Sequence, residues 1–150
     1  MAASLQNRVA DLTIEADAQQ VRHASIWLAH CGAEFGVPES EINRLDLCLN
    51  EALANVIDHG SPAALASPIH IHLDVQLGEE AWEATVTVSD AGLAFDTTSA
   101  TAKTRPKTLA EAEPGGLGLV MIRSFSDWLG YRYHDGKNHL SFSVRWPPAA

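Results

Sequence analysis

The chain has 150 residues, of which 46% are hydrophobic, and it carries a formal net charge of −9 at pH 7. That length and apolar content suffice for a buried core, so we expect one domain over residues 1–150. The acidic balance argues against direct nucleic-acid binding and against an anionic membrane surface, because both need concentrated Lys and Arg. No apolar run approaches the roughly 20 residues that span a bilayer, and no signal peptide is evident. Together with two isolated cysteines, Cys31 and Cys48, these features predict a reduced, cytoplasmic protein.

The first part of the chain predicts one short strand and two amphipathic helices. The β-branched run from Val9 to Glu15 is typical of an opening strand. A first helix is predicted from an N-cap at Asp17 to an end at Gly36, because apolar residues recur between them in steps of three and four: Val21, Ala24, Leu28, Cys31 and Phe35. The same spacing predicts a second helix that ends at Gly60, with apolar positions Ile42, Leu45, Leu49, Ala52 and Val56.

The middle of the chain predicts a hairpin between two irregular segments. Residues 60–68 are rich in helix breakers and indicate a loop. Apolar and polar residues then alternate over Ile69–Leu77 and again over Trp82–Asp90, with a turn between them at residues 78–80. Residues 97–114 show no apolar periodicity and form a long loop for a compact domain. We therefore predict that residues 97–114 are a lid over a binding site.

The last part of the chain predicts a third helix and two strands. The helix opens at the GGLG run and carries apolar residues at Leu119, Ile122, Phe125 and Leu129. A strand with Tyr131 and Tyr133, a turn at Asp135-Gly136 and a final strand follow; the final strand carries Leu140, Phe142, Val144 and Trp146. This order favours the α+β class, with about three helices on one face of a mixed, mostly antiparallel sheet. The four tryptophans are predicted to be packing residues: Trp27, Trp82, Trp128 and Trp146.

The second helix carries a polar stripe beside its apolar one. Glu51, Asn55 and His59 are spaced four residues apart and are followed by Gly60. At ~100° per residue they form one stripe, roughly 120° from the apolar face. A solvated helix face would show the same residues, so this stripe alone does not identify a site.

Two further motifs could each supply part of a nucleotide site. Asp90-Ala91-Gly92-Leu93-Ala94-Phe95-Asp96 comes directly at a strand end, where a carboxylate can point into a cleft and a glycine allows close approach of a ligand. Pro114-Gly115-Gly116-Leu117-Gly118-Leu119 opens a helix, whose free N–H groups can bind an anion. Each motif alone also fits an ordinary turn. All three motifs in this order are much less expected by chance than any one of them, and together they indicate a nucleotide site.

The patterns ExxxNxxxHG, DxGxxFD and GGLGL resemble the N, G1 and G2 boxes of the GHKL ATPases. The tail GLVMIRSFSDWLGYRYHDGKNHLSFSVRW resembles the branch of that superfamily formed by anti-sigma factors that are also serine-protein kinases. The likeness runs from about residue 15 to Trp146. It implies the Bergerat fold, a two-layer α/β sandwich, and it implies ATP and Mg²⁺ as ligands.

The resemblance also implies a role for individual residues. Asn55 would ligate Mg²⁺, Asp90 would accept a hydrogen bond from the adenine amino group, and Gly92 would give clearance beneath the base. Glu51 would be the general base that takes a proton from an attacking hydroxyl. The remaining nucleotide-binding residues implied by the boxes are Phe95, Gly115, Gly116, Leu117, Gly118 and Leu119.

The same resemblance suggests partners and leaves alternatives open. The branch implies a kinase that phosphorylates a serine of an anti-sigma factor antagonist and sequesters a sigma factor; family members are often homodimers. The alternative is an ATP-binding regulatory module that controls a different signalling partner without kinase turnover. A histidine-kinase ATP domain fits less well, since that family usually has Asn where Glu51 stands, and we expect no dimerisation helices with a phospho-accepting His before this domain.

Two groups of residues stay outside this assignment. Lys103, Arg105 and Lys107 in the predicted lid could neutralise phosphate charge, but three basic residues in a surface loop are ordinary. His70 and His72 share a strand face at a spacing that permits metal binding, yet the sequence shows no third ligand, so we predict no metal there.

Overall fold

The computed structural model describes residues 6–94 and 116–148, with backbone only for residues 6 and 116–120. Within these ranges the elements, in chain order, are β1 (Gln6–Ile14), α1 (Ala18–Glu34), α2 (Glu39–His59), α3 (Pro62–Leu65), β2 (Ile69–Leu77), β3 (Trp82–Asp90), α4 (Gly116–Phe125), β4 (Trp128–His134) and β5 (Lys137–Trp146).

The described strands form one five-stranded sheet with the order β1-β2-β3-β5-β4. Every neighbouring pair is antiparallel, so the sheet is simpler than the mixed sheet that the sequence left open. The register places Asp90 at the end of β3 opposite Asn138 near the start of β5. The predicted α+β class is confirmed.

The helices cover one face of this sheet. Along β2 the residues Ile69, Ile71, Leu73 and Val75 are fully buried, whereas the intervening side chains are half-buried or exposed. The helix α2 packs against β3, β5, α1 and α4. Its buried face includes Leu45, Leu49 and Leu53, all with no exposed surface. The 3-4 spacing therefore predicted the core-facing side of α2 correctly.

Local signals predicted the helix ends well. The Asp17 carboxylate accepts a hydrogen bond from the backbone N–H of Gln19 at 2.9 Å, which caps α1 as predicted. Gly36 follows α1 with φ of +88°, a left-handed conformation that favours glycine. Gly60 ends α2, where its N–H donates to the carbonyl of Val56 at 2.8 Å.

Three predictions about local structure were wrong. The segment 60–68 contains the one-turn helix α3, capped by Ser61, which is too short to show a 3.6-residue period. Leu129 belongs to β4, because α4 ends at Phe125. Trp128 is 51% exposed and is therefore no interior packing residue, although Trp82 and Trp146 do pack edge to face with ring centres 6.2 Å apart.

Within the described ranges, no helix combines the length and apolar character required to cross a bilayer.

Candidate active site

Glu51 and Asn55 lie on the side of α2 that borders its buried face. Both side chains are half-buried, whereas His59 at the end of the same stripe is exposed. One helical turn separates Glu51 from Asn55, a rise of about 6 Å along the axis. The predicted stripe therefore exists, and its first two members are partly enclosed.

The carboxamide of Asn55 stands out among the polar groups of this region. Its Nδ2 atom is buried and has no hydrogen-bond partner among the residues that the structure describes. A buried hydrogen-bond donor without a partner lowers the stability of the folded state by roughly 1–3 kcal/mol, so most such groups have a partner in the protein, in solvent or in a ligand. A rotation of roughly 180° about the last side-chain bond would put the amide oxygen of Asn55 where the nitrogen now lies. A ligand that offers both a metal ion and oxygen acceptors fits this side chain, and Mg²⁺ with a nucleotide phosphate is such a ligand.

Asp90 is held in a fixed orientation at the end of β3. Its Oδ1 accepts hydrogen bonds from the backbone N–H of Gly92 at 2.9 Å and from Nδ2 of Asn138 at 3.1 Å. The alternation of β3 puts Asp90 on the same face as Val86 and Val88, which is the face that the helices cover. The carboxylate therefore lies at the same face of the sheet as α2.

Asn138 is a part of this arrangement that the sequence analysis missed. It is only 8% exposed, and its Nδ2 also donates to the backbone carbonyl of Leu93 at 2.9 Å. The hydroxyl of Tyr131 donates to its Oδ1. Asn138 thus ties the Asp90 carboxylate to the loop that follows β3. Its position just after the Asp135-Gly136 turn, at the start of an apolar strand, was the only sequence signal available.

The short helix α3 brings the first two motifs together. A Cβ atom on Gly92 would lie 2.9 Å from Oδ1 of Asp90 and 3.1 Å from Cβ of Ala64. A Cβ atom on Gly60 would likewise lie 3.1 Å from Cβ of Ala64 and 2.3 Å from the carbonyl oxygen of Val56. A side chain at either position would collide first with Val56 or Asp90 and would also press on Ala64. The end of α2 and the Asp90 loop therefore pack on the same small side chain.

The helix α4, which begins at Gly116 in the third motif, packs against α2. Ile122 in this helix is fully buried. The thiol of Cys48 on α2 lies 3.9 Å from the carbonyl oxygen of Ile122. Burial raises the pKa of Cys48 to about 11, so the thiol is protonated at neutral pH and is no nucleophile. Both cysteines are free, as predicted.

An arginine of α2 fixes the other end of α4. Nε of Arg44 donates to the backbone carbonyl of Phe125 at 2.9 Å, and its two terminal nitrogens contact Glu41 at 2.7 Å and Asp127 at 3.1 Å. This arrangement satisfies an unpaired carbonyl at a helix C-terminus. The sequence analysis did not identify Arg44, because the partners Phe125 and Asp127 are distant in the chain.

Several predicted site residues lie outside what the structure describes. Phe95 and Gly115 fall in the range 95–115, as does the whole predicted lid with Lys103, Arg105 and Lys107. Gly116, Leu117, Gly118 and Leu119 lie in the first turns of α4, of which only the backbone is described. Their roles stay predictions.

Comparison with known proteins identifies the family of this arrangement. The sequence matches the family described as "Histidine kinase-like ATPase domain" over residues 14–144. The chain belongs to this family. It is 30% identical over 148 residues to the serine/threonine-protein kinase BtrW of Bordetella bronchiseptica, and the match covers 96% of this chain and 99% of that protein. The predicted resemblance to the GHKL anti-sigma factors and serine kinases is thereby confirmed.

A solved structure supports the fold of this histidine kinase-like ATPase domain. The crystal structure of the RsbU and RsbW domains of Rv1364c from Mycobacterium tuberculosis matches with a TM-score of 0.61 and 16% sequence identity. The match covers 93% of this chain and 33% of that longer chain, and it concerns the fold alone. Membership of an ATPase domain family implies that the chain binds ATP, and the relative named as a kinase supports a kinase or ATPase activity.

Proposed function

We propose that this chain is an anti-sigma factor and ATP-dependent serine-protein kinase that acts in the cytoplasm. It would phosphorylate a serine of an anti-sigma factor antagonist and sequester a sigma factor, so that transcription depends on which partner is bound. The observation that carries the proposal is the buried Asn55 amide without a partner among the described residues, one turn after the half-buried Glu51. The likeness to a serine/threonine-protein kinase along nearly the whole chain supports it.

The nucleotide would bind between the end of α2 and the loop after β3. Asp90 would accept a hydrogen bond from the adenine amino group, which selects ATP over GTP because guanine carries an oxygen at that position. Nδ2 of Asn138 donates to Oδ1 of that carboxylate at 3.1 Å. The carboxylate is therefore already oriented before the base binds, and binding does not have to restrict its motion. Gly92 would leave room beneath the base.

Asn55 would hold Mg²⁺ against the phosphates, and the ion would neutralise charge on the γ-phosphate during transfer. Gly115, Gly116, Leu117, Gly118 and Leu119 would bring backbone N–H groups at the start of α4 to the phosphates. Phe95 would contact the nucleotide from the loop after Asp90.

Glu51 would take the proton of the attacking serine hydroxyl. In that step a bond forms between the serine oxygen and the γ-phosphorus, and the bond from the γ-phosphorus to the bridging oxygen of ADP breaks. The serine proton passes to the Glu51 carboxylate, and ADP leaves with the electron pair of the broken bond. A general base of this kind contributes about 100- to 10,000-fold to the rate.

The first experiment is titration calorimetry with Mg-ATP and Mg-GTP, followed by incubation with candidate antagonist proteins and mass spectrometry for phosphoserine. We expect selective ATP binding and one phosphoserine on the antagonist. Binding of ATP without transfer would favour the regulatory module that lacks kinase turnover. Absence of nucleotide binding would contradict the assignment of all three motifs.

Variants of α2 separate binding from catalysis. Glu51→Gln keeps the size of the side chain and should retain ATP affinity while phosphate transfer falls by about 100-fold or more. Asn55→Ala should lose the Mg²⁺-dependent part of ATP affinity. The matched control is Glu39→Gln on the exposed first turn of α2, which should change neither. Unchanged transfer by Glu51→Gln would remove Glu51 as the base.

A further inference from the structure

The outer face of the sheet, opposite the helices, brings together two histidines and an aspartate. The register of β1 and β2 sets Asp11 opposite His72 and Thr13 opposite His70. Oδ1 of Asp11 lies 2.8 Å from Nε2 of His70 and 2.7 Å from Nδ1 of His72. One potential ligand atom from each side chain lies within 4.8 Å of the other two. The third ligand missing from the sequence analysis is thus Asp11, 59 residues before His70.

We propose that Asp11, His70 and His72 form a binding site for Zn²⁺ on the outer face of the sheet. Two imidazole nitrogens and one carboxylate oxygen suit Zn²⁺, and three protein ligands leave the fourth tetrahedral position to water. Mg²⁺ and Ca²⁺ prefer sites built from oxygen ligands alone. The proposal replaces the prediction that the two histidines bind no metal, because the structure supplies the third potential ligand that the sequence did not show.

The side chains of this trio are open to solvent and already oriented. Their exposed fractions are 50% for Asp11, 42% for His70 and 36% for His72, so an ion can reach all three. Oγ1 of Thr13 lies 3.5 Å from Nδ1 of His70, which directs the other ring nitrogen of His70 towards Asp11. Small side-chain rotations would replace the two hydrogen bonds to Asp11 by bonds to a metal ion.

This site is separate from the proposed ATP site. Ile71 and Leu73 point into the core beneath the helices, so His70 and His72 on the same strand point to the opposite face. Zn²⁺ at the trio would join β1, which is an edge strand of the described sheet, to its neighbour β2. Binding to the folded state alone would raise the unfolding temperature. The inference does not depend on the kinase proposal.

The test uses protein treated with a chelator and then freed of it. Titration calorimetry with ZnCl₂ should give one ion per chain, whereas MgCl₂ without nucleotide should give no binding at the trio. Co²⁺ in place of Zn²⁺ should produce the visible absorption bands of a tetrahedral ion. Thermal unfolding should shift to higher temperature with Zn²⁺. The affinity should fall in acidic solution, because protons compete with the metal for imidazole nitrogens.

Single substitutions assign the ligands. Asp11→Asn, His70→Gln and His72→Gln should each weaken Zn²⁺ binding by more than about 100-fold, and Thr13→Val by about 10- to 100-fold. The control is His30→Gln, which removes an exposed histidine of α1 that is 3.7 Å from Glu34 and should not alter binding. Circular dichroism verifies that each variant is folded. The proposal would be overturned if the protein did not bind Zn²⁺, or if the three ligand variants bound it as tightly as the unsubstituted protein. The trio would then be a hydrogen-bonded cluster only.

Discussion

Polar side chains have different surroundings on the helix-covered face and on the outer face of the sheet. On the covered face they are few and enclosed: Asn55 has a buried amide nitrogen, and Asp90 is held by the buried Asn138. On the outer face several polar side chains bond to each other across strands, as Thr87 does to Ser141 at 2.7 Å. Two buried atoms on that face, Oδ1 of Asp74 and Oγ of Ser143, have no partner among the described residues. The covered face therefore differs in that its enclosed polar groups, Asn55 and Asp90, lie beside the proposed nucleotide site, whereas the outer face offers ligand chemistry at the Asp11 trio.

The largest test of this comparison uses neighbouring positions that face opposite ways. Leu73→Ala removes a fully buried side chain from the covered face and should lower the free energy of unfolding by about 2–5 kcal/mol. Thr87→Val keeps the size of a half-buried outer-face side chain and removes one hydrogen bond, which should cost about 0.5–1.5 kcal/mol. Chemical denaturation measures both values. Equal losses would mean that the two faces do not differ as described.

A second test compares two glycines. Gly92→Ala should cost about 1–3 kcal/mol and weaken ATP binding, because the new Cβ would lie 2.9 Å from the Asp90 carboxylate and close to Ala64. Gly130→Ala brings a Cβ within 2.5 Å of the Trp128 ring, yet that ring is 51% exposed and can rotate away.

We therefore expect Gly130→Ala to lower the free energy of unfolding by less than about 1 kcal/mol and to leave the ATP affinity unchanged. Urea titration and calorimetry would check the pair together. A larger loss from Gly130→Ala than from Gly92→Ala would show that Trp128 is fixed by packing on the outer face.

The smallest expected effect concerns the link between the helix layer and the sheet. Partial burial alone would raise the pKa of Asp127, but hydrogen bonds from the Arg145 backbone N–H and the Arg44 side chain outweigh it and lower the pKa below 3.8. A lowered folded-state pKa adds stability that is complete above the unfolded value and is lost as the pH falls through the folded value.

Asp127→Asn should therefore lower stability at pH 7 by no more than about 1 kcal/mol, since the carboxylate is 39% exposed. The difference from the unsubstituted protein should shrink as the pH is lowered from about 4 towards 2. Thermal unfolding across this range measures it. A difference between Asp127→Asn and the unsubstituted protein that stays constant across this pH range would exclude a role for the Asp127 charge.

Much of the fold could be predicted because its signals are local. The spacing of Leu45 and Leu49 predicted the buried face of α2, and the alternation along β2 predicted its strand. The helix α3 was missed because one turn has no period. Leu129 was misplaced because a leucine at helical spacing also fits a strand.

The candidate site could be predicted only in part, because only some of its residues are marked by a local sequence pattern. Glu51 and Asn55 share a helix face, which spacing alone reveals. Asn138 and Ala64 contribute through contacts with Asp90 and Gly92, and no local pattern marks them. Such contacts depend on how distant segments pack.

The sequence by itself determined the order of the strands and of the helices longer than one turn, the family and the residues of its three motifs, because periodicity and spacing are properties of neighbouring residues. Only the tertiary structure decided that Asn138 orients Asp90 and that α3 joins two motifs. It also decided that Asp11 meets His70 and His72, since that meeting depends on the register of two strands far apart in the chain. Strand register is set by long-range pairing and packing, which local sequence does not specify.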